Sequence, residues 1–224
     1  MNLNNRVVVI TGGAGALGHV VVPTLAEAGA RVITADRQPP RDLSQGVRGI
    51  EADVTDENGL RRVVDQVLHE EGRIDGLINL IGGFAMGSVA ETEVALWQRM
   101  LSVNLTTAFL LSKAVLPLMA QNRGGRILHI AARAALEPFP GAAAYLVAKS
   151  GLVALIRVLA LELAGSGVTI NGLLPSTIDT PANRKSMPDA DPSKWVKPES
   201  IARLLVFLVS EQAGQINGAL IPIG

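Results

Sequence analysis

Tyr145, the only tyrosine in the chain, stands four residues before Lys149 in the stretch "AAAYLVAKSG". If that stretch is helical, positions i and i+4 share a face, so phenol and ammonium project the same way from one rigid element. An ammonium beside a phenol stabilises the phenolate and lowers its pKa, turning an inert group into a usable proton donor or acceptor. Such a pair is common by chance, and its meaning comes from what accompanies it. Here that is "VVVITGGAGALG", in which Gly12, Gly13, Gly15 and Gly18 follow an apolar β-branched run and cross into a helix-period segment. Gly12 and Gly13 permit a tight turn, Gly15 lets backbone approach a pyrophosphate, and Gly18 lets helix and strand pack closely. The helix N-terminus, with Ala16 and Leu17 just inside the turn, supplies N–H donors for phosphate.

Eighteen residues beyond Gly18 the next apolar run ends at Asp36, where a carboxylate accepts both ribose hydroxyls and repels a 2′-phosphate. That favours NAD as the cofactor. Arg37 argues the other way, because a guanidinium beside that position could accommodate the 2′-phosphate of NADP. Asp53, in "EADVTD" with Val54 beside it, is placed to receive the adenine amino group, or else to cap the helix that follows.

These residues need a scaffold, and the chain alternates short apolar runs with longer helix-period segments: "RVVVIT", "LGHVVVPTLAEAG", "ARVITAD", "VRGIEADV", "ENGLRRVVDQVLHEEG" and "IDGLINLIG". A long helical region from about 93 to 122, "GRILHIA", a helix from about 143 to 164, "VTINGLLP", "PESIARLLVFLVS" and "GALIPIG" complete the pattern. This predicts an α/β fold: one Rossmann-type, doubly wound domain over residues 1–224, with a seven-stranded parallel sheet flanked by helices and ligands at the strands' C-terminal ends. The stretch 175–197 holds three internal prolines, which exclude one continuous helix; a long loop at the ligand edge is expected to act as a lid.

With these elements in order, the sequence resembles the short-chain dehydrogenase/reductase family over essentially its whole length. The resemblance rests on "TGGAGALG", "DVTD", "NLIG", "SVNLTTAFLLSKAVLPLM", "PGAAAYLVAKSGL" and "LLPSTIDTP". It implies that Asn104, Tyr145 and Lys149 are catalytic: Tyr145 as general acid, Lys149 lowering its pKa and holding the nicotinamide ribose, and Asn104 positioning a water or Lys149. By the same resemblance Asn79 and Gly82 support the cofactor site. In "LLPSTIDTP" Pro175 counts among the cofactor contacts, while Ile178 and Thr180 lie against the nicotinamide amide. Two departures stand out. Ala16 occupies the usual place of the middle glycine, with Gly15 taking over, and Ala132 occupies the place of a serine thirteen residues before the tyrosine. The missing serine, together with "LIGGFAMG" and "LPSTIDTPANRKSMPDADPSKW", makes the chain similar to the quinonoid dihydropteridine reductase branch, which lacks that hydroxyl. The implied activity is NADH-dependent reduction of an activated small molecule such as quinonoid dihydropterin. Reduction of another carbonyl, imine or quinone is the alternative, as is a catalytically silent NAD(H)-binding sensor.

The rest of the composition narrows the partners. Formal net charge is zero and Lys and Arg form no block, which argues against nucleic acid and anionic membranes. There is no cysteine, and His19, His69 and His129 share no ligand spacing, so no metal site is expected and each histidine is read as surface or packing. "MNLNN" leads straight into a strand without the marks of a secretory signal, and the expected location is the cytoplasm. Arg157 and Glu162 interrupt the apolar runs before membrane-spanning length, which predicts buried helices rather than spans. "AFLLSKAVLPLM" and "GLVALIRVLALELA" nonetheless carry more apolar surface than one sheet face covers, so a homodimer or homotetramer is expected.

Overall fold

Val7–Thr11 (β1) is apolar on both faces and buried throughout, as a central strand covered by helices on each side must be. The computed structural model describes residues 2–40 and 44–224. Six more strands follow: Arg31–Asp36 (β2), Val47–Glu51 (β3), Gly76–Asn79 (β4), Gly125–Ile130 (β5), Val168–Pro175 (β6) and Leu220–Ile223 (β7). They form one seven-stranded sheet in the order β3-β2-β1-β4-β5-β6-β7. Every pairing is parallel, with Val9 opposite Ile33 on one side and Leu77 on the other. The expected Rossmann-type sheet is therefore present, strand for strand.

Gly18–Glu27 (α1) and Pro198–Val209 (α7) cover one face, burying Val21, Leu25, Ile201 and Leu205 against Val8, Ile78 and Leu128. Glu57–Glu71 (α2), Thr107–Gln121 (α4) and Ala143–Glu162 (α5) cover the other, with Leu60, Leu111, Met119 and Ile156 packed on Val9, Leu77 and Ile127. Each fully buried side chain of this size contributes about 1.5–3 kcal/mol, so the sheet edge that carries the ligand residues is held rigidly. Asp56, not Asp53, caps α2, its carboxylate accepting from the Gly59 N–H at 3.0 Å.

The long helical region expected from 93 to 122 runs as Val94–Leu101 (α3) and α4 joined by a wider π turn at Ser102–Thr106. Thr107 Oγ1 donates to the Ser102 carbonyl across that turn at 2.9 Å. π turns of this kind often mark functional positions, and this one carries Asn104. Contrary to the expectation drawn from Arg157 and Glu162, two helical stretches, Val94–Gln121 and α5, are long and apolar enough to cross a membrane. Both lie on the sheet here, with one face in the core.

The 175–197 stretch is more ordered than a bare loop. Pro181–Ser186 (α6) begins with proline at its first turn, where the missing N–H costs nothing. A 3₁₀ turn spans Pro192–Lys194, and Ile178 bridges to Val196, so the excursion closes on itself.

Candidate active site

Strand order reverses direction between β1 and β4, whose following helices lie on opposite faces, and the C-terminal ends there open into a crevice. The glycine-rich turn fills its floor. Gly12 has φ of +80°, and a Cβ on it would stand 3.0 Å from both Ile81 N and the Leu80 carbonyl carbon, so only glycine fits between the two strand exits. A Cβ on Gly18 would overlap the Gly13 carbonyl oxygen. Gly15 N donates to Gly12 O at 3.1 Å and His19 N to Gly15 O at 3.0 Å, closing the turn. Among the described residues the N–H groups of Ala16, Leu17 and Gly18 have no backbone acceptor. Free donors at the start of a ten-residue helix, over a turn with no side chains in the way, fit the pyrophosphate of a dinucleotide.

The residues expected to meet the adenosine end lie at and beyond the C-terminal ends of β2 and β3. Asp36 is buried at the end of β2, and its Oδ2 accepts from the Ala14 N–H at 3.3 Å. Burial pushes its carboxyl above the usual value, partly offset by the turn's N–H groups. Arg37 points to Asp53: Nη2 and Nε donate to Oδ2 at 2.7 and 3.0 Å. The other oxygen of Asp53 accepts from the N–H and hydroxyl of Thr55, and these bonds with Arg37 hold its pKa at about 2. Arg37 is thus paired with Asp53 in an exposed ion pair. Val54 is packed in the core below them.

Tyr145 and Lys149 come from the first turns of α5, as expected, yet they are not bonded to one another. Lys149, only 5% exposed, donates its Nζ to the Ile130 carbonyl at 2.7 Å. Burial lowers its pKa to about 8 and raises that of Tyr145 to about 12. The expectation that Lys149 lowers the phenol's pKa is thus corrected: desolvation of the largely buried phenol dominates. Phe84 meets the Tyr145 ring edge-to-face at 4.9 Å. The loop bearing Phe84 is tied to the start of α5 by Gly87 N–H to Gly141 O at 2.7 Å and Ala143 N–H to Gly87 O at 3.1 Å.

Of the two roles expected for Asn104, a direct bond to Lys149 is not made. Its Oδ1 accepts from Gly83 N at 3.1 Å, and its Nδ2 donates to Gly83 O at 3.0 Å and to Met100 O at 3.1 Å. The side chain clasps the loop after β4 instead of bonding Lys149. The two nevertheless flank one point: a Cβ on Gly82 would lie 3.1 Å from Asn104 Oδ1 and 3.4 Å from Lys149 Nζ. Gly82, Asn104 and Lys149 are therefore brought together, and Asn79 stands at the end of β4 just before them. Ala132, 6% exposed, follows β5 in extended conformation and leads into the 3₁₀ turn Arg133–Ala135, presenting a methyl group and no donor.

In the 175–197 excursion Pro175 ends β6 and Thr180 caps α6, its hydroxyl accepting from Asn183 N at 3.2 Å, while the Ile178 carbonyl accepts from Asn183 Nδ2 at 2.8 Å. A cleft of about 360 Å³ runs between Ala16 and Val20, Thr180 and Pro181, and Lys197 and Pro198. It joins the glycine-rich turn to the 175–197 excursion. Sequence reasoning missed Phe84, Thr11, Ser112 and the part played by His129. His19 and His69 are exposed, but His129 is fully buried between Asn79 and Ser112. A histidine within the apolar run of "ILHIA" was the available signal, since a buried imidazole has to find partners.

The chain matches the short chain dehydrogenase family over residues 6–191. It is 31% identical over 240 residues to 2-(S)-hydroxypropyl-CoM dehydrogenase 3 of Xanthobacter autotrophicus, covering 97% of this chain and 94% of the relative. To meso-2,3-butanediol dehydrogenase of Serratia marcescens it is 32% identical over 239 residues, covering 100% and 94%. Among solved structures, the ligand-free aldohexose dehydrogenase of Thermoplasma acidophilum superposes with a TM-score of 0.90 at 27% identity, covering 99% of this chain and 93% of the other. A glycine-rich turn at the β1/β4 crevice, a Tyr-Lys pair on α5 and a match over most of the length place the chain in the short chain dehydrogenase family.

Proposed function

We propose that this protein is an NADH-dependent reductase of a small, electron-poor acceptor, with quinonoid dihydropterin as the leading substrate. Family membership makes it an NAD(P)-dependent oxidoreductase acting on small molecules. The observation that carries the narrower reading is Ala132: a buried methyl group beside a retained Tyr145 and Lys149. Such a site can deliver a proton but offers no second donor to a developing oxyanion. A quinonoid ring gains aromatic character on reduction, so it asks less of the protein than a simple ketone does.

The dinucleotide, when bound, supplies the hydride. The phenol of Tyr145 supplies the proton, and burial keeps it protonated up to about 12. Lys149 gives one of its three N–H donors to the Ile130 carbonyl and keeps two for a ribose or the phenolate left behind, while Asn104 keeps Gly83, and with it the loop carrying Phe84, in place. The second reading, oxidation of a secondary alcohol, is favoured by the names of the dehydrogenase relatives. The decisive experiment follows NADH oxidation with quinonoid dihydropterin, quinones and simple ketones. Simple ketones turned over as fast as the pterin would overturn the first reading, and no turnover with any acceptor or alcohol would leave a dinucleotide-binding sensor.

Cofactor preference follows from the two carboxylates. Asp36 places a charge where a 2′-phosphate would sit, which should favour NADH over NADPH by more than about tenfold in kcat/KM. Asp36→Ser alone should narrow the ratio, and adding Asp53→Asn, which releases Arg37, should move it further toward NADPH. A ratio unmoved by the double substitution would mean that neither side chain faces the adenosine ribose.

We also propose a homodimer or homotetramer built on the outer faces of α4 and α5. Phe109, Val147, Val158 and Leu161 stand exposed there, Leu161 at 79%. Apolar stripes of this kind mark association surfaces. Sedimentation should show a species of at least twice the 23.5 kDa chain mass. Leu161→Glu should shift it toward monomer.

A further inference from the structure

We propose that His129 is a positioning residue for the dinucleotide, acting through Asn79 on the loop Leu80–Gly83. The inference rests on the NAD(P)-binding reading above but concerns a buried group outside the reacting centre. Its basis is a chain of hydrogen bonds whose direction can be deduced atom by atom. Ile81 N–H is fixed by the backbone and donates to Asn79 Oδ1 at 3.0 Å; Thr11 Oγ1 donates to the same oxygen at 3.0 Å. The amide of Asn79 therefore has one orientation, with its Nδ2 facing His129 Nδ1 at 3.3 Å. That ring nitrogen must accept, so it carries no proton. The other, Nε2, then bears the hydrogen and donates to Ser112 Oγ at 3.0 Å, and Ser112 passes its own proton to the Ala108 carbonyl at 2.9 Å.

Both ring nitrogens of His129 are engaged, and only the neutral Nε2–H imidazole permits both bonds. Its surroundings enforce that form, since burial and the nearby Lys149 ammonium lower the His129 pKa to about 3. The far end of the chain touches the cofactor site. Leu80 N–H donates to the Thr11 carbonyl at 2.9 Å, and the Leu80–Ile81 peptide sits 3.0 Å from where a Cβ on Gly12 would be. Gly82, next in line, lies against Asn104 and Lys149. A histidine in the middle of the sheet thus sets the rotamer of Asn79, and Asn79 sets the wall against which the glycine-rich turn is formed.

Three substitutions separate this role from packing. In His129→Asn the new Oδ1 takes the place of Nδ1 and can still accept from Asn79; His129→Gln keeps a donor for Ser112 but loses that acceptor; His129→Leu keeps neither. Affinity for NADH, measured by fluorescence titration, should stay within about threefold of wild type for His129→Asn and weaken about tenfold or more for the other two, the ratio expected when one buried donor is orphaned. Hydrogen exchange at the Ile81 amide should accelerate in the same order. Nitrogen NMR should show the Nε2–H tautomer, without titration between about pH 5 and 8. A general packing defect would lower the melting temperature of all three and leave Asn and Gln alike in NADH affinity; that result, or a Gln variant better than Asn, overturns the proposal. If His129→Leu does not fold, the Asn and Gln comparison decides alone. A wild-type chain that binds neither nucleotide would sink the functional reading, and Ile81 exchange would still test whether His129 holds the loop.

Discussion

Tyr145→Phe lowers turnover at least about a hundredfold, the range expected when a general acid is removed, and leaves NADH affinity close to wild type. The reason lies in what the ring does besides chemistry. A phenylalanine at 145 keeps the edge-to-face contact with Phe84 and fills the same partly buried space, so only the hydroxyl is lost. That hydroxyl has no hydrogen-bond partner among the described residues, and its removal orphans no buried group. The pH profile of kcat/KM reports groups of the free enzyme. Lys149 is charged below about 8 and neutral above it, so reduction should fall as pH rises through about 8, while Tyr145 keeps its proton to about 12. Lys149→Ala should abolish that limb and weaken cofactor binding as well. A phenylalanine variant with near-normal turnover would move the proton source to solvent or to the lid.

The parts of this site that could be read from the chain are those set by local rules. β1, the glycine turn and α1 are contiguous, and period, β-branching and glycine positions specify them without reference to anything distant. Asp36 was found because a strand end is a fixed distance from the turn before it. What could not be read depends on which groups meet across the fold. Nothing near Lys149 in sequence says that Ile130, at the end of β5, will offer its carbonyl to the ammonium. Arg37 and Asp53 pair because β2 and β3 are neighbours in register, with Asp36 opposite Glu51, and that pairing decides whether the guanidinium is free. Asn104, expected to position a water or Lys149, sits on a π turn and bonds the Gly83 backbone, a contact no local pattern announces. Thr180 shows the same mixture: its place beside the nicotinamide came from resemblance, while its hydroxyl caps α6, a role that "TPAN" itself announces.

Ala132→Ser tests why the site does without a hydroxyl. If the natural acceptor is already activated, restoring the donor should accelerate reduction of simple ketones about a hundredfold, the lower range for one oxyanion-stabilising donor. The same change should leave the pterin nearly unaffected, because a bond of equal strength in ground and transition states does not raise turnover. The local backbone favours the experiment. Ala132 is extended, with φ of −158° and ψ of 148°, at the position that opens the 3₁₀ turn Arg133–Ala135, where serine is accepted readily. The obstacle is burial: an added oxygen that finds no partner costs about 1–3 kcal/mol of stability. Kinetics on both substrate classes and a melting curve separate these outcomes. A ketone-selective gain at unchanged melting temperature supports an activated substrate. Equal acceleration of ketone and pterin contradicts it, since the native reaction would then also be short of the same donor. If neither accelerates and the melting temperature falls, the pocket has closed around the methyl group, and the place for a substrate oxygen must be sought nearer Tyr145 and the Phe84 loop.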